Sequence, residues 1–163
     1  MRTAFKVLVL ALAAEVVVQA MAIAYALAGL GKWIEDDGGV LNKAAMDSES
    51  LHFQGVGGFA IHGINGMMII PILALLTLVV SFFSKVAGAS KRAGILVAMV
   101  VVQVVLGMTL HGVPVVAPLH ALNGFALFLL ALQTGLRLHA GGDLRRGGGA
   151  HVADAPRYGV AVG

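Results

Sequence analysis

Residues 55–83 read GVGGFAIHGINGMMIIPILALLTLVVSFF, twenty-nine positions without a Lys, Arg, Asp or Glu. A run of that length crosses the hydrocarbon core of a bilayer as a helix, which needs roughly 17–25 apolar residues. Its one ionisable group is His62, in His62-Gly63-Ile64-Asn65-Gly66. Fifty-eight positions later the chain repeats the pattern as His120-Ala121-Leu122-Asn123-Gly124, again in an apolar run. A histidine inside a membrane is costly and ordinarily has a partner. Two in matching positions point to each other, with something held between them.

Composition agrees with a membrane chain. Of the 163 residues 59% are hydrophobic and 12% charged, about half the charge of an ordinary soluble domain. No cysteine is present, which excludes disulfides, thiolate metal sites, iron–sulfur clusters and covalent c-type heme attachment. Histidine, methionine and carboxylates remain as ligands. The formal charge of +3 is small, and no nucleic-acid partner is expected.

Four apolar spans are predicted, at about 5–30, 55–83, 93–110 and 118–136. No ten-residue alternating segments recur, so a membrane barrel is not indicated. The expected fold is an all-α four-helix transmembrane bundle over residues 1–138. Arg2, Lys6 and Ala20-Met21-Ala22 look like parts of a signal peptide. The apolar stretch nevertheless runs on to Leu30, longer than a signal core, so a retained first span is expected. Residues 139–163, Gly-rich and charged, are read as a disordered cytoplasmic tail.

Orientation follows from Lys and Arg. With four spans, Arg2, Lys6, Lys85, Lys91, Arg92, Arg137, Arg145, Arg146 and Arg157 share one side, and only Lys32 and Lys43 take the other. Both termini are therefore expected in the cytoplasm, in a multi-pass protein of the inner (plasma) membrane. The first outer loop is acidic, with Glu35, Asp36, Asp37, Asp47 and Glu49. Trp33 there suits an interface anchor.

Val16-Val17-Val18-Gln19 in the first span is echoed by Val100-Val101-Val102-Gln103 in the third. Together with the two His-x-x-Asn-Gly motifs this predicts a duplicated helical hairpin. Counting upward from the cytoplasmic charges at about 1.5 Å per residue puts His62, His111 and His120 near the outer leaflet and His52 at the outer interface. The same count puts Glu15, Gln19 and Gln103 in a separate, deeper polar layer, a candidate site for protons or quinone.

Two imidazoles from facing helices at one height are what a bis-histidine heme requires. His62 and His120 are the candidate axial ligands and the candidate metal-binding pair. His111, Asn65 and Asn123 are expected around the cofactor, the asparagines at i+3 on the histidine face. Gly58, Gly63, Gly66 and Gly124 offer clearance for a flat macrocycle, or simply close helix packing. Interhelical hydrogen bonding alone, and a copper or zinc site without heme, are the alternatives.

The third span continues Gln103-Val104-Val105-Leu106-Gly107-Met108-Thr109, then a short loop and Pro118-Leu119-His120. This resembles the Gln-x-x-Leu-Gly-x-x-Thr … His pattern of the heme A synthase family, whose members contain two four-helix halves. Each half holds a histidine pair on its second and fourth helices. Residues 5–138 are similar to one such half, and the resemblance implies that His62 and His120 hold a heme b. The chain also resembles small actinobacterial four-helix membrane proteins of similar Ala/Val/Gly-rich composition. The family's second helix carries Glu-x-x-His-Arg, whereas here Phe59 and Gly63 flank His62. Heme A synthase activity is therefore not expected. Electron transfer with a quinone or a redox partner is, in a larger respiratory complex or a homo-oligomer. The alternatives are a non-catalytic accessory or assembly subunit of a membrane complex and a metal- or small-molecule-binding membrane protein without heme.

Overall fold

A computed structural model describes residues 1–47, 51–110 and 112–150, with side chains described up to Leu138. Helix α1 runs Arg2–Asp36, and a short α2 (Lys43–Asp47) lies in the first loop. The second span, Gly57–Phe83, is built from α3 (Gly57–Ile64), a π-helical segment (Asn65–Ile69) and α4 (Ile70–Phe83). Helix α5 (Ala89–Thr109) is the third span. A 3₁₀ turn at Pro114–Val116 leads into α6 (Ala117–Ala150), whose apolar part ends at Leu138. The tail expected at 139–163 thus begins inside α6, while 151–163 and His111 lie outside the described residues. Four helices are long and apolar enough to cross a membrane, and there is no strand among the described residues. The chain is an all-α, multi-pass membrane protein. The first span packs on the second, the second on the third, the third on the fourth and the fourth on the first, closing a four-helix ring.

The membrane setting explains an inverted surface. Leu, Val, Ile, Met and Phe side chains are exposed along every span, Met21, Leu75, Val101 and Leu122 among them. The interior is lined by smaller groups and a few large ones: Ala13, Ala74, Ala93 and Ala131 beside Phe5, Leu12, Leu96 and Leu127. Lipid solvates the large side chains as well as the core does, so small residues that let backbones approach go inside. Thr77 and Thr134 are also buried, and each donates its hydroxyl to the carbonyl four residues back, Leu73 and Leu130, at 2.7 Å. Neither leaves a polar atom facing the interior unsatisfied.

The two hairpins repeat. Buried Phe5, Val9 and Leu12 in α1 recur as buried Ala89, Ala93 and Leu96 in α5, each eighty-four positions on. Gln19 and Gln103 have the same offset. Between the second and fourth spans the offset is fifty-eight at His62/His120 and Asn65/Asn123. It becomes fifty-seven at Ile70/Leu127, Ala74/Ala131 and Thr77/Thr134. The sequences Leu73-Ala74-Leu75-x-Thr77 and Leu130-Ala131-Leu132-x-Thr134 are the matching pieces.

The second span therefore carries one extra residue, and the π segment absorbs it. The amide of Ile70 bonds to the Asn65 carbonyl, five residues back. Pro71 follows, at the start of α4, and has no N–H to give to the preceding turn. One residue turns a helix by about 100°. A regular helix continuing from Asn65 would put Ile69, Ile72 and Leu76 inside, yet all three are exposed. The wide turn instead brings Ile70, Ala74, Thr77 and Ser81 to the core.

Deleting Met68 together with Pro71→Ala is expected to give a regular second span with the same buried set. Its melting temperature in detergent should stay within a few degrees of the parent. Deleting Ala126 from the regular fourth span is expected to turn Leu127, Ala131 and Thr134 out of the core and to lower it steeply.

The end of the bundle away from the start of α1 is closed by the first loop. Trp33 stacks on Phe53 with centroids 5.8 Å apart, and Phe53 meets Phe59 edge-on at 6.3 Å. Gly39 packs on the Trp33 ring, which leaves no room for a side chain there. At the end of the bundle where α1 begins, Arg2 donates to the Leu138 carbonyl at 3.2 Å, which levels the start of the first span with the end of the fourth.

Candidate functional site

That level corrects the expected heights. Gln19 is seventeen residues above Arg2, and His120 is eighteen above Leu138. Counted from this shared base the glutamines and histidines are level, and they meet in one layer rather than two. Lys6, Arg92 and Ser84 give no common baseline, because Lys6 lies within α1 and Arg92 within α5 whereas Ser84 caps the end of α4.

His62 and His120 face one another across the bundle, with ring centroids 6.2 Å apart and planes at 58°. Each is tied to the preceding span through Nδ1. His62 lies 3.2 Å from the Gln19 carbonyl oxygen, and His120 lies 3.2 Å from that of Gln103. A carbonyl oxygen only accepts, so Nδ1 carries the proton in both rings and Nε2 presents the lone pair. An imidazole held this way by its other nitrogen is oriented as metal-ligating histidines are.

The supporting residues differ between halves. Asn123 donates to the Met99 carbonyl at 2.9 Å and to Gln103 Oε1 at 2.7 Å. Asn65, its counterpart, donates to Glu15 Oε2 at 2.8 Å. Glu15 occupies the position in α1 that Met99 occupies in α5. The carboxamide of Gln19 and Oδ1 of Asn65 are buried and have no hydrogen-bond partner among the described residues. Glu15, Gln19 and Gln103 thus do not form the shared cluster expected of them, since each is bonded toward, or lies against, the histidine spans.

Three of the four glycines serve close packing, the second of the two uses expected of them. A Cβ on Gly66 would meet Gln19 Nε2 at 3.2 Å, and one on Gly124 would meet Gln103 Nε2 at 3.1 Å. These two glycines make room for the glutamine carboxamides. Gly58 packs against the Ala22 carbonyl of the first span, and Gly63 faces open space. Gly107 lies under the His120 ring, with 3.1 Å from a Cβ there to Cε1. His52 is exposed.

No group of three or more His, Asp or Glu gathers to hold a metal among the described residues. The donor set is two imidazoles. A bare zinc or copper ion wants three or four protein ligands, whereas a heme iron brings four nitrogens of its own and needs two more. With metal–nitrogen bonds of about 2.0–2.1 Å and roughly 1.1 Å from nitrogen to ring centre, two imidazoles sharing one metal stand about 6.2–6.4 Å apart. The observed separation fits, as does the lone pair of His62, which takes no hydrogen bond among the described residues. The carboxamide of Gln103 does not, because its Nε2 stands 3.1 Å from Nε2 of His120.

The chain matches no family model, no curated protein and no solved structure.

Proposed function

We propose that the chain is a b-type heme-binding membrane protein that carries electrons near the outer leaflet, with His62 and His120 as axial ligands. The observation that carries this reading is the 6.2 Å separation of two imidazoles whose Nδ1 atoms are both engaged by backbone carbonyls. Heme supplies a one-electron couple at that place. The chain's own part is to orient the two rings, to fix their tautomers and to keep lipid and water out of the layer. Asn123 serves by holding Gln103 and the third span. Asn65 serves by tying the second span to Glu15. His111 is assigned to the same outer end from sequence alone.

The excess of Lys and Arg on one side supports a plasma-membrane protein with both termini in the cytoplasm. Fusions of alkaline phosphatase are expected to be active after Val113 and inactive after Leu138. The electron partner is a quinone or a protein, within a respiratory complex or a homo-oligomer. The similarity of Gln103 to Thr109, with His120, to the heme A synthase pattern supports heme binding. Phe59 and Gly63 argue against the synthase reaction.

The deciding experiment is optical. Protein purified after expression with heme supply is expected to be red, and its reduced-minus-oxidised spectrum to show b-type bands. A colourless, monodisperse preparation would sink the reading. That result would favour an accessory or assembly subunit, for which the hydrogen bonds that His62, His120 and Asn123 make to neighbouring spans are sufficient reason.

A further inference from the structure

The same three side chains, a Gln, a His and an Asn, occur in both halves of the histidine layer, in two different arrangements. In the second half the polar groups close on one another. Gln103 donates from Nε2 to Nε2 of His120 at 3.1 Å, and its Oε1 is held by Asn123 at 2.7 Å. Asn123 is itself fixed by the Met99 carbonyl. In the first half the Gln19 carboxamide lies over Gly66 much as that of Gln103 lies over Gly124. Yet Gln19 bonds to nothing there among the described residues, because Asn65 donates to Glu15 instead. Among the described residues no hydrogen bond reaches Nε2 of His62, whereas Nε2 of His120 is covered.

We propose that the Gln103 carboxamide is a displaceable cap on His120. A metal centre entering this pair takes His62 first, and takes His120 only once Gln103 has swung off. The idea rests on the histidines being ligands. It adds an order of filling and a residue that sets affinity without touching the metal. Gln103 is a positioning residue, acting through the lone pair of His120. Displacing one neutral hydrogen bond weakens binding by roughly two- to tenfold.

Full-length apoprotein in lipid nanodiscs is titrated with hemin, following affinity and spin state, beside ¹⁵N spectra of the imidazoles without hemin. The His120 signals are identified by their loss in His120→Ala. Gln103→Leu removes the donor without adding a ligand and leaves Asn123 its Met99 carbonyl. Gln103→Asn shortens the reach by one methylene and serves as a second variant. Val105→Leu, at an exposed position on the same helix, is the control.

Wild type should pass through a high-spin form before becoming low-spin. Both Gln103 variants should become low-spin in one phase and bind several-fold tighter, and Val105→Leu should follow wild type. In the apoprotein the Gln103 variants should shift the Nε2 signal of His120, and Val105→Leu should not. Unchanged or weaker hemin affinity in the Gln103 variants, or a His120 signal indifferent to them, overturns the cap. If wild type and all variants fail to take up hemin, heme ligation falls, and the ¹⁵N shift alone decides whether Gln103 caps His120.

Discussion

Replacing His62 by alanine is expected to abolish heme retention, lowering affinity more than about a hundredfold, beyond the 10–100-fold typical of losing a residue that only supports a ligand. The uncovered imidazole is then gone, and the one that remains is His120, whose lone pair Gln103 occupies at 3.1 Å. His120→Ala should be milder in one respect. It leaves His62 oriented by the Gln19 carbonyl, so a fraction of the protein should retain a five-coordinate, high-spin heme. The pyridine hemochrome gives the stoichiometry and the oxidised spectrum gives the spin state. Far-UV circular dichroism checks that both variants remain helical. Equal retention in the two single variants and the wild type would show that the ligands lie elsewhere.

The second large effect is structural. Gly58→Leu is expected to destabilise the bundle by about 2–4 kcal/mol, a fall of roughly 5–15 °C in melting temperature in detergent. A side chain at Gly58 would run into the Ala22 carbonyl, with Ala26 Cβ at 3.0 Å and Ala26 N at 3.2 Å behind it. Two of those three atoms are backbone, so no rotamer change relieves the contact. The first and second spans must part just outside the histidine layer, and the His62–Gln19 bond is stretched with them. Gly63→Leu, five residues on and facing open space, is the control and should melt like the parent. If both variants melt alike, the close approach of the spans at Gly58 is not what holds them.

The four spans were legible because their apolar runs are long and their charges fall at the ends. The histidine pair was legible because a repeated motif stands out in a run that carries no other ionisable group. What sequence could not supply was azimuth. Glu15 and Asn65 are fifty positions apart, and nothing in either neighbourhood says that they bond rather than each turning to a glutamine. Height was also misjudged, because the charged residues used as a baseline do not mark one plane, whereas the Arg2–Leu138 contact does.

The longer repeat went unread for a simpler reason. Leu73-Ala74-Leu75-x-Thr77 and Leu130-Ala131-Leu132-x-Thr134 are present in the sequence, but a comparison at the fixed offset of the histidines misses them by one position. The signal that could have found them is Pro71, which marks the place where an extra residue is carried without a regular turn.

The π segment and the paired offsets have a consequence for symmetry. Both hairpins run in the same sense, and the ring order places α1 opposite α5 and the second span opposite the fourth. The operation that relates the halves is therefore a two-fold rotation about the bundle axis. Under such a rotation, groups beside the axis meet their own counterparts, as His62 meets His120, and both must satisfy one shared geometry. Groups away from the axis are under no such obligation. The wide turn before Pro71 and the exchange of Met99 for Glu15 are departures of that second kind, in which one half changed while the shared centre kept its form.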